Sequence, residues 1–234
     1  MKGSFALGSI RGIQIKSDFG CVLVLGSFGA MLAALYFPLA HPGWDPYIRW
    51  TVGMVIALVL FISVLVHELS HSLVSCRFGL QVERISLFIF GGKTQIAGLP
   101  ARPAVDLQMA LSGPAVSLLL YLLLLLSAKI LGWLGVSEAV TMACFYSAQV
   151  NIILVLFNIV PIFPLDGGRV LRAIVWHVKG DFHSATRLAA ATGNGFGWLM
   201  ILAGLYLILA GDYLLAIWFA FNGWYIRRLA LSGH

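Results

Sequence analysis

Val64-Leu65-Val66-His67-Glu68-Leu69-Ser70-His71-Ser72-Leu73 lies inside an apolar run that begins near Thr51 and ends at Cys76. Two imidazoles and a carboxylate within five residues of such a run are expensive in hydrocarbon, so the segment reads as a functional one. On a helix, residues four apart share a face. His67 and His71 can therefore grip one cation while Glu68, beside the first ligand, reaches a water on it. Two neutral imidazoles with an adjacent carboxylate base are the donor set of a hydrolytic zinc site, which requires a third protein ligand from elsewhere in the chain.

The rest of the chain makes the setting a membrane. Of 234 residues, 60% are hydrophobic and only 10% charged, and the mean hydropathy is +0.95. A water-soluble globule of ordinary kind is excluded. A span needs about twenty apolar residues, and six candidates are predicted, at roughly 19–40, 51–76, 105–131, 139–163, 188–210 and 213–226. They occupy nearly the whole chain, so residues 1–234 are expected to form a single integral membrane domain without a separate soluble one.

The net charge of +6 follows the loops. With six spans, every Lys and Arg falls on one side except Arg49 and Lys129, and the positive-inside rule places both termini in the cytoplasm. Spread over every inner loop without a groove-binding motif, these charges do not read as a nucleic-acid surface. Cys21, Cys76 and Cys144 stand alone on apolar segments and read as small hydrophobes. The N-terminal Lys2, Arg11 and Lys16 precede a stretch long enough to span, which reads as an uncleaved first helix.

The second span runs from outside to inside, which puts His67 about 24 Å from the outer start near Thr51 in a core of roughly 30 Å. The site is thus expected toward the cytoplasmic side. Between spans two and three the period changes. Val82, Arg84, Ser86, Phe88 and Phe90 alternate with Glu83, Ile85, Leu87 and Ile89, a strand pattern. Gly91-Gly92 is read as the hairpin turn and Lys93-Thr94-Gln95-Ile96 as the return strand. Such a hairpin is either a covering flap or an edge that pairs with an unwound peptide. Ile13 and Ile15, alternating with Gln14 and Lys16, suggest a short edge strand on the inner surface. Around these elements, His41 is expected to be a solvated loop residue, and Asp106 is either a helix-start charge complementing the dipole or a functional residue. Ser112-Gly113-Pro114 allows close packing and a local kink.

The fourth span reaches Asn158-Ile159-Val160-Pro161-Ile162-Phe163-Pro164-Leu165-Asp166-Gly167-Gly168. Two prolines three apart cannot continue an ordinary helix, and irregular backbone at membrane depth needs protein or a wet cavity around it. Spans two and four run in the same direction, so Asp166 arrives at a depth similar to that of His67 and His71. It supplies the missing oxygen ligand. Asn158 either donates to an oxyanion or substrate backbone, or satisfies carbonyls freed near Pro161. Beyond Asp166, an inner loop with a helical start is expected, and Gly193, Gly195 and Gly197 suggest flexibility or close packing in span five.

His67-Glu68-Leu69-Ser70-His71 and the segment from Asn158 to Gly168 together resemble the site-two protease family of intramembrane zinc metalloproteases, with Gly91-Gly92 and Gly113-Pro114 in support. The resemblance covers the whole chain and is closest to the six-span bacterial and archaeal branch, which implies a prokaryotic cell membrane. It implies that His67, His71 and Asp166 bind one Zn2+, that Glu68 is the catalytic base, and that Asn158 assists substrate binding or the transition state. Gly91 and Gly92 fall in the expected substrate-binding hairpin. It also implies a transmembrane protein as substrate, cleaved within or near the bilayer, such as a membrane-tethered transcription regulator or its inhibitor. The rival class is a metal transporter, which explains the histidines and Asp166 but gives Glu68 no role.

Overall fold

Asp18 and Asp45 show how the chain converts apolar runs into helices with defined starts. The Asp18 carboxylate accepts from the Cys21 N–H at 2.8 Å, and Asp45 accepts from the Ile48 N–H at 2.9 Å with Pro46 in the first turn. Each satisfies a donor that a helix start leaves open. The computed structural model describes residues 4–88 and 91–232. Its elements are β1 (Ser4–Ile10), β2 (Ile13–Asp18), α1 (Phe19–Met31) continued by a π-turn into α2 (Phe37–Ala40), α3 (Pro46–Arg77), β3 (Gln81–Phe88), β4 (Gly91–Ala97), α4 (Pro103–Trp133), α5 (Glu138–Asn158), α6 (Asp166–Lys179), α7 (Phe182–Leu209) and α8 (Tyr213–Ser232).

Among the described residues, five helical segments are long and apolar enough to cross a membrane: Phe19–Ala40, Pro46–Arg77, Pro103–Trp133, Glu138–Asn158 and Phe182–Leu209. Their exposed leucines, Leu118, Leu119, Leu122, Leu123 and Leu126 on α4 among them, form a surface suited to hydrocarbon and not to water. The sixth predicted span coincides with α8, which carries Asn222, Arg227 and Arg228 and is not one of the five.

The chain divides into two compact units, residues 1–99 with 112–155, and residues 100–111 with 156–234. In the first, four strands form one sheet in the order β1-β2-β3-β4. β1 and β2 are antiparallel, β2 and β3 parallel, β3 and β4 antiparallel. The predicted strand at Ile13 and Ile15 is therefore interior, not an edge. Its second neighbour comes from about seventy residues later, a pairing that no local pattern announces. Ile13, Ile85 and Leu87 share the buried face of the sheet, packed on Leu25 of α1 and on Phe61, Leu65 and Leu69 of α3. The sheet thereby lies along the half of α3 that carries His67 and His71.

Two local expectations are corrected here. Gly91 and Gly92 pair with Phe88 and Leu87 as the first residues of β4, so they are not the hairpin turn. Ile89 and Phe90, the end of the predicted alternation, lie outside the described residues. His41 is not a solvated loop residue. Its ring stacks on Trp44 at 4.1 Å, Nδ1 lies 3.1 Å from Glu138 Oε1 and Nε2 lies 3.0 Å from the Tyr146 hydroxyl. Packing around Phe37, Trp44, Val52 and Ile56 buries that end of the unit.

In the second unit, α5 stops at Asn158 before Pro161 and Pro164, as two rings without N–H groups require. The expected loop after Asp166 is instead a complete amphipathic helix, α6, ended by Gly180 in the left-handed conformation with φ 73°. α7 and α8 form a helical pair. A Cβ on Gly197 would meet Gly223 O at 2.6 Å, and one on Gly204 would meet Ala216 O at 2.8 Å, so the two backbones approach as only small residues permit. Arg227 donates from Nε to Asn194 Oδ1 at 2.9 Å and lies 3.9 Å over the Trp198 ring.

Candidate metal centre

His67 and His71 are each 3% exposed, one helical turn apart on α3, with ring centroids 4.9 Å apart and planes at 76°. A buried imidazole must have its ring nitrogens satisfied. Ser117 Oγ lies 2.9 Å from His67 Nδ1, and Ser112 Oγ lies 3.2 Å from His71 Nδ1. Both serines belong to α4. With Nδ1 engaged in both rings, Nε2 is the atom each would offer to a cation, as where an outer hydrogen bond fixes tautomer and orientation of a metal-binding histidine. The two Nε2 atoms converge on one spot, since a Cβ built on Gly113 would collide with both. Gly113 is thus a clearance: the backbone of α4 passes where any side chain would fill the space before the rings. Two converging neutral imidazole nitrogens are donors of the kind that fit zinc.

Glu68 is half-buried and held by β4. Thr94 Oγ1 donates to Glu68 Oε2 at 2.9 Å, and Ser72 Oγ donates to the Glu68 carbonyl at 3.0 Å. A Cβ on Gly92 would collide with Glu68 Cγ and lie 2.7 Å from Cδ. Gly92 is a glycine because the strand passes directly over the carboxylate.

In the second unit, Asp166 is the first residue of α6 and is 8% exposed. Asn158 is the last residue of α5 and half-buried. Between them the chain turns back on itself through Ile162 N–H to Val160 O at 2.7 Å and Leu165 N–H to Ile162 O at 2.9 Å. A Cβ on Gly167 would strike the carbonyls of Ile159 and Val160, and one on Gly168 the backbone at Phe163. The Asp-Gly-Gly sequence is therefore what lets the proline segment fold against the first turn of α6 and present Asp166 at its start.

Asp106 combines the expected helix-start position with a buried ion pair. It sits in the first turn of α4, but it is fully buried, and its two oxygens accept from Arg172 Nε and Nη2, each at 2.8 Å. Arg169 Nη2 stands 3.8 Å away. Outside the spans, Asp181 caps α7 by accepting from the Ser184 and His183 N–H groups. The Ser184 bond, with the other, holds its carboxyl below the ordinary carboxylate range. Ser112 and Ser117 are not distinguished as site residues by the sequence, since small hydroxyls in an apolar helix read as packing residues, and Thr94 and Arg172 are not because their partners Glu68 and Asp106 lie far away in the chain.

Fold and site together define a class: a helical membrane chain with a buried pair of anchored histidines flanked by a clamped glutamate. The sequence matches the model of peptidase family M50 over residues 55–144 and 134–202, and the chain belongs to that family. A Synechocystis protein named provisionally as a zinc metalloprotease is 35% identical over 99% of this chain and 60% of its own length. Rip3 of Mycobacterium tuberculosis, named in the same way, is 34% identical over 98% of this chain and 58% of its own. The chain thus spans about three-fifths of these relatives. Among solved structures, the site-2 protease from Methanocaldococcus jannaschii superimposes with a TM-score of 0.63 at 26% identity, over 96% of this chain and 95% of that one. The resemblance to site-two proteases drawn from the two motifs is borne out.

Proposed function

We propose that this chain is an intramembrane zinc metalloprotease that hydrolyses peptide bonds within or near the transmembrane segment of another membrane protein. The observation that carries the reading is the anchoring of His67 and His71 through Nδ1 with both Nε2 atoms converging on Gly113, beside a glutamate held by β4. In this reading His67, His71 and Asp166, all buried, hold one Zn2+. Zinc bound there would lower the pKa of a water toward about 7 and polarise a peptide carbonyl. Glu68 takes the proton from the attacking water and passes it to the leaving nitrogen. The Thr94 hydroxyl, donating to Oε2, fixes the orientation of the carboxylate that carries the proton. Asn158 donates to the substrate carbonyl or backbone, and the β4 edge at Gly91 and Gly92 receives the unwound substrate strand.

The two units act as one membrane protease domain, with α8 as a sixth span, both termini cytoplasmic, and the site opening toward the cytoplasmic side of a prokaryotic cell membrane. The substrate is a membrane-tethered regulator of transcription or its inhibitor. Glu68→Gln tests the reading against a metal-transit site. Purified protein and variant are loaded with zinc, incubated with single-span proteins, and the cut ends are mapped by mass spectrometry. The expected result is wild-type zinc content with cleavage reduced at least about 10²-fold; undiminished cleavage removes Glu68 as the base.

A further inference from the structure

The buried Asp106 carboxylate has no part in the chemistry above, yet it carries the most completely built ion pair described. It is fully buried, whereas the Arg172 and Arg169 side chains are 12% and 19% exposed. Both guanidinium contacts of Arg172 are 2.8 Å and bidentate. A buried carboxylate is costly unless paired in good geometry, and the two-point fork fixes orientation as well as charge. The same guanidinium carbon lies 5.1 Å from the centre of the Phe182 ring, and Phe182 in turn packs edge-on against Trp176 of α6 at 4.9 Å. Arg172 is therefore held at its edge by the carboxylate and against the ring besides.

The pair joins α4 to α6, and α6 begins at Asp166. Arg169 and Arg172 follow Asp166 by three and six residues on one short helix, so locking the fork sets the rotation and axial position of the whole of α6. At its other end, Gly167 and Gly168 pack against the backbone of Ile159, Val160 and Phe163, which confines the first turn from the N-terminal side. We propose that Asp106 is a positioning residue: through Arg172 it fixes α6 and thereby aims the Asp166 carboxylate at the metal. This rests on the reading of Asp166 as a ligand. A helix-start charge serving only the dipole would need no fork, and a merely stabilising pair would not change the geometry of a ligand on the partner helix.

The test uses the full chain purified in detergent, with zinc affinity measured by competition with a chromophoric chelator and ligand geometry read from the visible absorption of the Co2+-substituted protein. Asp106→Asn should weaken zinc binding by about 10- to 100-fold, the range for lost outer-shell support, and change the cobalt spectrum. Arg172→Lys keeps the charge but loses the fork and the ring contact, and should give a smaller loss of the same kind. It also serves where Asp106→Asn does not fold. Wild-type affinity and spectrum in whichever of these variants folds, even with a lowered melting temperature, overturns the proposal. Asp166→Asn separates the two failures. If it binds zinc as the wild type does, Asp166 is not a ligand; if it weakens binding while the Asp106 and Arg172 variants do not, only the positioning role is lost.

Discussion

Replacing Gly113 with alanine adds one methyl group at the point on which both histidine rings converge. The new Cβ would lie 2.7 Å from His67 Cε1, where ordinary contact begins at 3.4 Å, and it would overlap the Nε2 atoms of both rings. Neither ring can retreat by rotation without giving up its serine, because Ser117 and Ser112 hold the Nδ1 atoms. The ligand atoms must then move by about 1 Å, a displacement that costs on the order of 10²-fold in a site of this kind. The local helix gains, since alanine is favoured over glycine in a helix interior by up to about 1 kcal/mol. The two effects have opposite signs and are read by different assays. In chelator-stripped protein the helix gain offsets part of the strain on the two histidine–serine contacts, so Gly113→Ala should melt close to the wild-type temperature. Zinc affinity by chelator competition should fall at least about tenfold, with cleavage reduced on the order of 10²-fold. A variant with wild-type affinity would refute the assignment of Nε2 in both rings as the metal-facing atom.

Gly92→Ala drives a methyl group into Glu68 while leaving both histidines alone, so cleavage should drop by at least about tenfold at wild-type zinc content; a parallel loss of zinc would mean that β4 supports the metal and not the base. Asp181 gives a pH dependence. Its folded-state pKa lies below the unfolded value of about 3.9 because the Ser184 and His183 N–H groups stabilise the anion, so its contribution is present above that value and fades as pH falls through the folded pKa. Asp181→Ala should therefore melt lower than the wild type at pH 7, with the gap closing below about pH 4; a gap independent of pH would assign the difference to something other than the charged cap.

The pair His67 and His71 is legible in the sequence because the helical period alone brings residues four apart together. Asp166 stands out in the sequence for a different reason: an ionisable group follows two prolines in a largely apolar chain. What fails is everything set by distant backbone. Gly91-Gly92 has the composition of a tight turn, but the cause of Gly92 is Glu68, more than twenty residues away, which leaves no room for a Cβ over its carboxylate, while Gly91 has open space around it and a φ of 120°. Ser112 and Ser117 look like packing residues because nothing local distinguishes a hydroxyl that closes a helix contact from one that orients an imidazole. Gly167 and Gly168 argue against a helix by propensity, yet α6 starts there, since the proline segment lies against them too closely for side chains. The pairing of Asp106 is not legible because Arg172 is 66 positions further on.

The parallel pairing of β2 with β3 carries a constraint on how the chain is threaded. Gln14, Ile15, Lys16 and Ser17 align with Arg84, Ile85, Ser86 and Leu87, and a ladder of main-chain hydrogen bonds cannot be made through a bilayer. The intervening chain must therefore leave and return, so that Phe19–Ala40 and Pro46–Arg77 count as an even number of crossings. This parity holds without reference to any lysine or arginine. It also sets an order of assembly: the N-terminal strands are synthesised first but stay without their parallel neighbour until Pro46–Arg77 has been inserted. A reporter fused at the N-terminus and one placed in the loop after Ala97 must accordingly report the same compartment.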